Sequence, residues 1–201
     1  KSYDYKKLIV LQNEDKKTIN AISNFNNIEI YIQKKRGYGN ALIEGINETK
    51  TEYFCIINAD GSMDPKYLNE MLSLCKDQDF VFASRYLQNA GSEDDDLITF
   101  VGNKFFSLLG NIFFNLNLSD ILYTYILGKT DSIKKLFFKY GDFRICVEIP
   151  IVAKSKKFVY TSIPSKERKR IGGKKKVNPI KDGFLILIAM ISLFLKKKNI
   201  K

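Results

Sequence analysis

The chain has 201 residues, 45% of them hydrophobic and 27% charged, with a net charge of +11. That composition suits one globular core with a small appendage and excludes a wholly disordered chain. With no histidine present, Ser-His and Cys-His nucleophile pairs and any imidazole base are excluded, which leaves carboxylates, a metal ion or charge stabilisation.

The first strand signal is Leu8–Leu11, ending in the polar Gln12-Asn13-Glu14-Asp15. A short helix over Thr18–Phe25 and an alternating strand over Ile28–Ile32 follow. A basic loop, Lys34-Lys35-Arg36, then leads through Gly37-Tyr38-Gly39 into a helix over Asn40–Asn47. The two glycines read either as turn residues or as a helix start offering free N–H groups to an anion. Tyr53–Ile57 is an apolar run stopped by Asn58-Ala59-Asp60-Gly61, and Pro65 opens a helix to Cys75. This arrangement sets Asp60 at the C-terminal edge of a sheet, where open α/β sheets take their ligands. The bland alternatives are a turn role for Asp60 and a helix cap for Asp64. Phe80–Ala83 is the next strand, and Arg85 after it points to the same edge. Strands alternating with helices at this spacing predict a parallel, doubly wound α/β sheet.

Beyond Tyr86 the polar stretch Leu87–Asp96 reads as a mobile loop and Leu97–Leu116 as a long aromatic-rich helix with room for a membrane-facing side. A helix over Asp131–Tyr140 and a strand over Phe158–Ile163 follow. Ser165–Lys176 then combines cations with Gly172-Gly173, a strong anion signal, in which Arg170 supplies a fork and Lys175 and Lys176 point charges. No recognition motif accompanies this basic loop, so nucleic acid is not an expected partner. The last helix, Pro179–Leu195, carries an apolar run of 12 residues (Phe184–Leu195) before Lys196–Lys198. A bilayer crossing takes about 20 residues, so the run suits a helix lying in a membrane interface, the start of a longer span, or a core helix. Cys55, Cys75 and Cys146 are odd in number and widely spaced, which suggests reduced thiols on the cytosolic side rather than disulfides or zinc. The chain starts at Lys1 without Met and reads as a segment of a longer protein.

An ordered set of stretches resembles family 2 glycosyltransferases of the GT-A fold, in the branch with dolichyl-phosphate mannosyltransferase and the polyprenyl-phosphate glycosyltransferases. The stretches are Arg36–Ala41 with Gly45, Asn58–Gly61 with Pro65, Ser84-Arg85-Tyr86, Gly102-Asn103-Lys104, Leu118-Ser119-Asp120, and Pro164 with Arg170–Lys176. Three departures stand out. The strand with a Pro-x-x-Asn-Glu motif that opens the family pattern is missing. Leu11 and Gln12 stand where the next strand of the family ends in paired aspartates that contact the nucleotide, and Asn58 replaces the first acid of the Asp-x-Asp metal motif.

The resemblance implies a GT-A domain over 1–178, a mostly parallel sheet flanked by helices, and a separate membrane-associated helix over 179–201. It implies transfer of a hexose from a nucleotide-diphosphate sugar to a polyprenyl phosphate at the cytoplasmic face of a membrane, with inversion. Mg²⁺ or Mn²⁺ would be held by Asp60 with Asn58 or Ser62. The donor would meet Gln12, Arg36, Gly37, Gly39, Asn58 and Asp60. Arg85, Arg170, Lys175 and Lys176 would take the acceptor phosphate. Asp60, Arg85 and Asp120 would form the catalytic set, Asp120 being the base if the acceptor is a hydroxyl. Two alternatives remain open: a transferase acting on a saccharide hydroxyl in cell-surface glycan synthesis, and a non-catalytic GT-A-like domain that binds a membrane or a partner.

Overall fold

A computed structural model describes residues 5–173 and 175–198; Lys174, in the expected anion loop, lies outside the described residues, as does Lys1. Short apolar runs separated by polar turns give β1 (Lys7–Leu11), α1 (Lys16–Ile22) and β2 (Ile28–Ile32), with β1 and β2 parallel. Next come α2 (Tyr38–Glu48), β3 (Tyr53–Ile56), a one-turn 3₁₀ helix at Pro65–Tyr67, α3 (Leu68–Leu74) and β4 (Phe80–Ser84). The remaining elements are β5 (Gly91–Ser92), α4 (Leu97–Phe114), β6 (Ile126–Lys129), α5 (Thr130–Lys134), α6 (Ile145–Ser155), β7 (Tyr160–Pro164), β8 (Lys166–Glu167) and α7 (Pro179–Lys198).

The central sheet runs β3-β6-β4-β7. Its β4–β7 pair is parallel, whereas β6 lies antiparallel to both β3 and β4. The sheet is therefore mixed rather than uniformly parallel. The alternating strand–helix pattern does not reveal β6, which follows α4 only after the irregular stretch 115–125 and runs antiparallel to both of its neighbours. Gly128 lets it fit: a Cβ there would come within 2.5 Å of the Phe80 ring and 2.7 Å of the Asp79 carbonyl.

All five residues of β4 are buried, and their alternation builds two cores. Phe80 and Phe82 face α4, α6 and α7 among Phe106, Phe114, Ile145, Ile149, Ile186 and Met190. Val81 and Ala83 face Leu68, Met71 and Cys75 of the α3 region. Strand β6 divides in the same way, with Ile126 in the first core and Leu127 in the second. Three cysteine thiols are free.

Helix α6 is the other element absent from the sequence reading. Its run ICVEIPIVA contains Glu148 and Pro150, which argue locally against a buried helix. The fold resolves the first conflict by using the buried Glu148 carboxylate to accept the backbone N–H groups of Lys139 (2.9 Å) and Tyr140 (3.0 Å). Two further expectations shift. The helix expected over Asp131–Tyr140 is only α5, and the stretch expected as a mobile loop contains β5, which pairs in parallel with β8.

Phe80 makes edge contacts with Phe54 and Phe158 in the larger core. Truncating so enclosed a ring leaves a cavity, so Phe80→Ala is expected to lose about 3–5 kcal/mol of stability, measured by urea unfolding.

Candidate active site

The turn after β3 is built around Asp60. Its Oδ1 accepts the Ser62 backbone N–H (3.0 Å) and the Ser62 hydroxyl (2.8 Å), while Gly61 takes a left-handed φ of 85°. Asp64 caps the following turn through the Lys66 N–H at 3.0 Å, and that hydrogen bond holds its carboxyl below the usual carboxylate range. The cap reading of Asp64 therefore describes what it does.

Of the three residues expected at a metal, only Asp60 presents a carboxylate. Ser62 is 1% exposed and spends its hydroxyl orienting Asp60. The Asn58 Oδ1 accepts a 3.3 Å bond from the Tyr38 hydroxyl, itself 2.5 Å from Thr124 Oγ1. Among the described residues no group of three His, Cys, Asp or Glu side chains is placed to hold an ion. The outer oxygen of Asp60 with Asn58 beside it fits a hard cation shared with a ligand's phosphates, since Mg²⁺ commonly uses one or two carboxylates plus phosphates; it is not a closed cage.

The Gly37–Gly39 turn is shaped by packing. Gly37 has φ 124°, and a Cβ on it would lie 2.2 Å from the Gly141 carbonyl oxygen; a Cβ on Gly39 would lie 2.6 Å from that of Tyr140. The Asn40 N–H is taken by Gly141 (3.0 Å), and Tyr38 stacks on Phe143 at 5.0 Å. Close approach to the 140–143 segment thus accounts for both glycines, and one N–H of the expected anion cradle is already used. Arg36 is exposed and pairs with Glu14; the Gln12 backbone N–H is tied to Asp15 at 2.9 Å.

Arg85 occupies a different role from the one its sequence position suggests. Its guanidinium is 8% exposed and forks onto Asp120, Nε to Oδ2 at 2.7 Å and Nη2 to Oδ1 at 3.0 Å. Its Nη1 reaches Glu167 at 3.3 Å and Asp95 at 3.4 Å, and its plane lies 4.5 Å from the Tyr123 ring centroid. Three buried carboxylates therefore use up the group expected to bind an acceptor phosphate. Asp120, expected as a base, is equally committed: both oxygens accept from Arg85 and its side chain is fully buried. The pair acts as a brace joining the end of β4 to the segment after α4. Burial raises the Glu167 carboxyl pKa, although Arg85 and Ser92 pull it down.

Arg168, Arg170 and Lys175 lie against two acidic stretches. Arg170 forks onto Asp94 (2.6 and 3.2 Å), and its Nη1 sits 3.7 Å from Asp60 Oδ2. Lys175 donates to Thr99 Oγ1 at 2.9 Å and lies 3.6 Å from Asp96, and Arg168 lies 3.8 Å from Asp64. Backbone bonds fix the course of the segment, Arg168 N–H to the Ser62 carbonyl at 2.9 Å and Ile171 N–H to the Asp60 carbonyl at 2.8 Å. Lys176 is exposed. The structure thus brings Asp60, Arg170 and Lys175 into one chain of contacts running into the Arg85 cluster through adjacent Asp94 and Asp95. Gln12 and Arg36 make no contact in that chain. Sequence reading missed Asp94, Asp95, Glu167 and Tyr38. The detectable signal for Asp94 and Asp95 was the opposite charge of the Glu93–Asp96 run and the cationic stretch Ser165–Lys176. A cavity of about 550 Å³ opens beside the cluster, lined by Arg85, Tyr86, Asp95, Leu97, Phe100 and Lys104 among others.

Because the folded pKa of Glu167 is raised above 4.5, the native state holds its proton longer than the unfolded chain does. The stability contributed by that proton is complete below 4.5 and is lost as pH climbs through the higher folded value. Glu167→Gln is expected to flatten this fall, so that its stability relative to wild type improves from pH 4.5 upward in urea titrations across pH.

Residues 1–137 match the model of the family described as glycosyl transferase family 2. Among solved structures, the fold is similar to glucosyl-3-phosphoglycerate synthase from Mycobacterium tuberculosis. Its complex with Mn²⁺, UDP and phosphoglyceric acid gives a TM-score of 0.67 at 12% identity, covering 93% of this chain and 66% of that one. The complex with Mn²⁺, UDP and glucosyl-3-phosphoglycerate gives 0.68 at 11% identity, covering 92% and 67%, and that with Mg²⁺ and UDP gives 0.63 at 12% identity, covering 92% and 66%. The chain therefore spans about two thirds of the length of these enzymes, and the likeness establishes the shared GT-A fold. With the family pattern matched over more than half its length, the chain belongs to glycosyltransferase family 2.

Proposed function

We propose that the chain transfers a hexose from a nucleotide-diphosphate sugar to a polyprenyl phosphate at the cytoplasmic face of a membrane. The observation that carries the acceptor half is the apolar face of α4 and α7. On α4, Leu97, Ile98, Val101, Leu108 and Ile112 are each more than half exposed; α7, which packs on α4, exposes Phe184, Ile191 and Leu195 to a similar degree. Soluble surfaces rarely expose so many large apolar groups together. The cationic segment meets this face at its first turn, where Lys175 bonds Thr99. An apolar face beside a cationic segment suits a lipid tail with an anionic head. Helix α4 has the length and composition of a membrane-crossing helix, but its packing on α6 and α7 favours a helix lying along the interface.

For the donor half, the neighbours carry UDP with Mn²⁺ or Mg²⁺. Asp60, oriented by Ser62, is the residue that would hold such an ion, with Asn58 at its side. When bound, the ion supplies positive charge to the departing diphosphate. Arg170, above Asp60, would add a cation to the same phosphates. An acceptor phosphate oxygen attacks the sugar C1 as the C1–O bond to the diphosphate breaks, and the nucleoside diphosphate leaves with the electron pair. Such an acceptor is already an anion, so no base is needed, in keeping with a chain that lacks histidine and has Asp120 tied to Arg85.

A second reading draws on the neighbours crystallised with phosphoglyceric acid, in which the acceptor is a small phosphorylated acid. Radiolabelled nucleotide sugar with membranes separates the two. Lipid transfer puts label in a chloroform-soluble, mild-acid-labile product, and a water-soluble product overturns it. Asp60→Asn is expected to reduce transfer by about 10²-fold or more. Replacing Val101 and Leu108 by Glu is expected to release the protein from anionic liposomes in flotation assays; retention would count against the apolar face as the membrane contact.

A further inference from the structure

Arg170 faces an acid on each side. One is Asp60, at the expected cation position; the other is Asp94, gripped through two parallel bonds of 2.6 and 3.2 Å. Two-pronged pairing is how a guanidinium takes a phosphate. The contacts therefore have the form of a filled site: Arg170 lies where Asp60 would meet a cation, and Asp94 lies where Arg170 would meet an anion.

The two halves of this arrangement are anchored differently. The backbone of the Arg170 segment is bonded to the Asp60 turn at both ends, Arg168 to the Ser62 carbonyl and Ile171 to that of Asp60. Ile171 also covers Gly61, where a Cβ would lie 2.7 Å from its Cδ1. Beyond the backbone bond from the Glu93 N–H to the Glu167 carbonyl (3.0 Å), the acidic run is joined to this segment through carboxylate side chains: Lys169 N–H to Glu93 at 3.4 Å, Arg170 to Asp94, Lys175 to Asp96. Arg170 can therefore exchange its carboxylate partner by side-chain movement while its backbone stays over Asp60. The Arg170 hydrogen bond also holds the Asp94 carboxyl below the usual range, so Asp94 is an anion throughout the neutral region.

We infer that Asp94 is an intramolecular competitor for the anionic ligand of Arg170 and so sets the affinity and the metal dependence of diphosphate binding. The inference rests on the proposed donor position at Asp60 and Arg170. Diphosphate alone must displace Asp94 and leave Asp60 with a weakened partner. A divalent cation alone must meet an Asp60 already facing a guanidinium. Together they satisfy every displaced group except Asp94, which is near enough to solvent to be hydrated. Binding of the two is thus coupled, each strengthening the other.

The test is isothermal titration of the whole chain with inorganic pyrophosphate, with Mn²⁺ and with both, using wild type, Asp94→Asn and Arg170→Gln. Removing a partly exposed competitor is expected to tighten pyrophosphate binding without Mn²⁺ by about 3- to 10-fold in D94N and to shrink the coupling to Mn²⁺. R170Q is expected to lose pyrophosphate affinity while binding Mn²⁺ alone more tightly, a gain that general damage to the fold would not produce. Unchanged or weaker pyrophosphate binding in folded D94N overturns the inference, as does absence of binding in both wild type and D94N. Tighter binding in D94N with no sugar transfer by wild type would sink the transferase reading and leave the inference intact. Transfer by wild type with unchanged D94N affinity would do the opposite.

Discussion

The buried guanidinium of Arg85 is the constraint on which the C-terminal edge of the sheet depends. It ties the end of β4 to Asp120 after α4, to Asp95 at the approach to α4, and to Glu167 in β8. Burying a cation is costly unless it is paired and hydrogen-bonded, and here both edges of the fork are occupied. Burial alone would lower the Arg85 pKa, yet Asp120 and Glu167 drive it upward, which matches a permanently charged hub. Removing one partner from such a buried pair typically costs about 3–5 kcal/mol. The brace therefore holds in register three segments that share no regular sheet.

From this hub the rest of the site follows by connectivity. Strand β8 is fixed through Glu167 and its parallel pairing with β5, so the chain leaving it runs over the Asp60 turn. The acidic run leaving β5 travels alongside, which is why Asp94 reaches Arg170 and Asp96 reaches Lys175. Two charge runs that would repel within themselves neutralise one another across the fold. The charges of Arg170 and Lys175 are consequently spent on carboxylates within the site, and the chain's apolar surface on α4 and α7 stands next to it.

How much of this could be read from residues depends on whether the determinant is local. Asp60 at a strand end, the Asp64 cap and β4 as a buried strand follow from short-range patterning, and each appears in the structure. Strand β6 and helix α6 were not legible, because the first is inserted antiparallel between strands far away in sequence and the second buries Glu148 against a backbone turn that only the fold supplies. The glycines at 37 and 39 show the same limit. Their conformational freedom was evident, but the 140–143 segment that requires it lies a hundred residues away.

The sequence by itself determined the α/β class, the family and the position of the acid at the sheet edge, since these rest on periodicity, turn residues and the order of short motifs. Tertiary structure alone decided the partners of the charged residues. Arg85 and Asp120 proved to be mutual partners within a buried brace, and Arg170 proved to be shared between Asp60 and Asp94. The reason is physical: a strand or a cap is set by neighbours within a few residues, whereas the environment of a charge is set by whichever groups the folded chain carries to within about 4 Å of it.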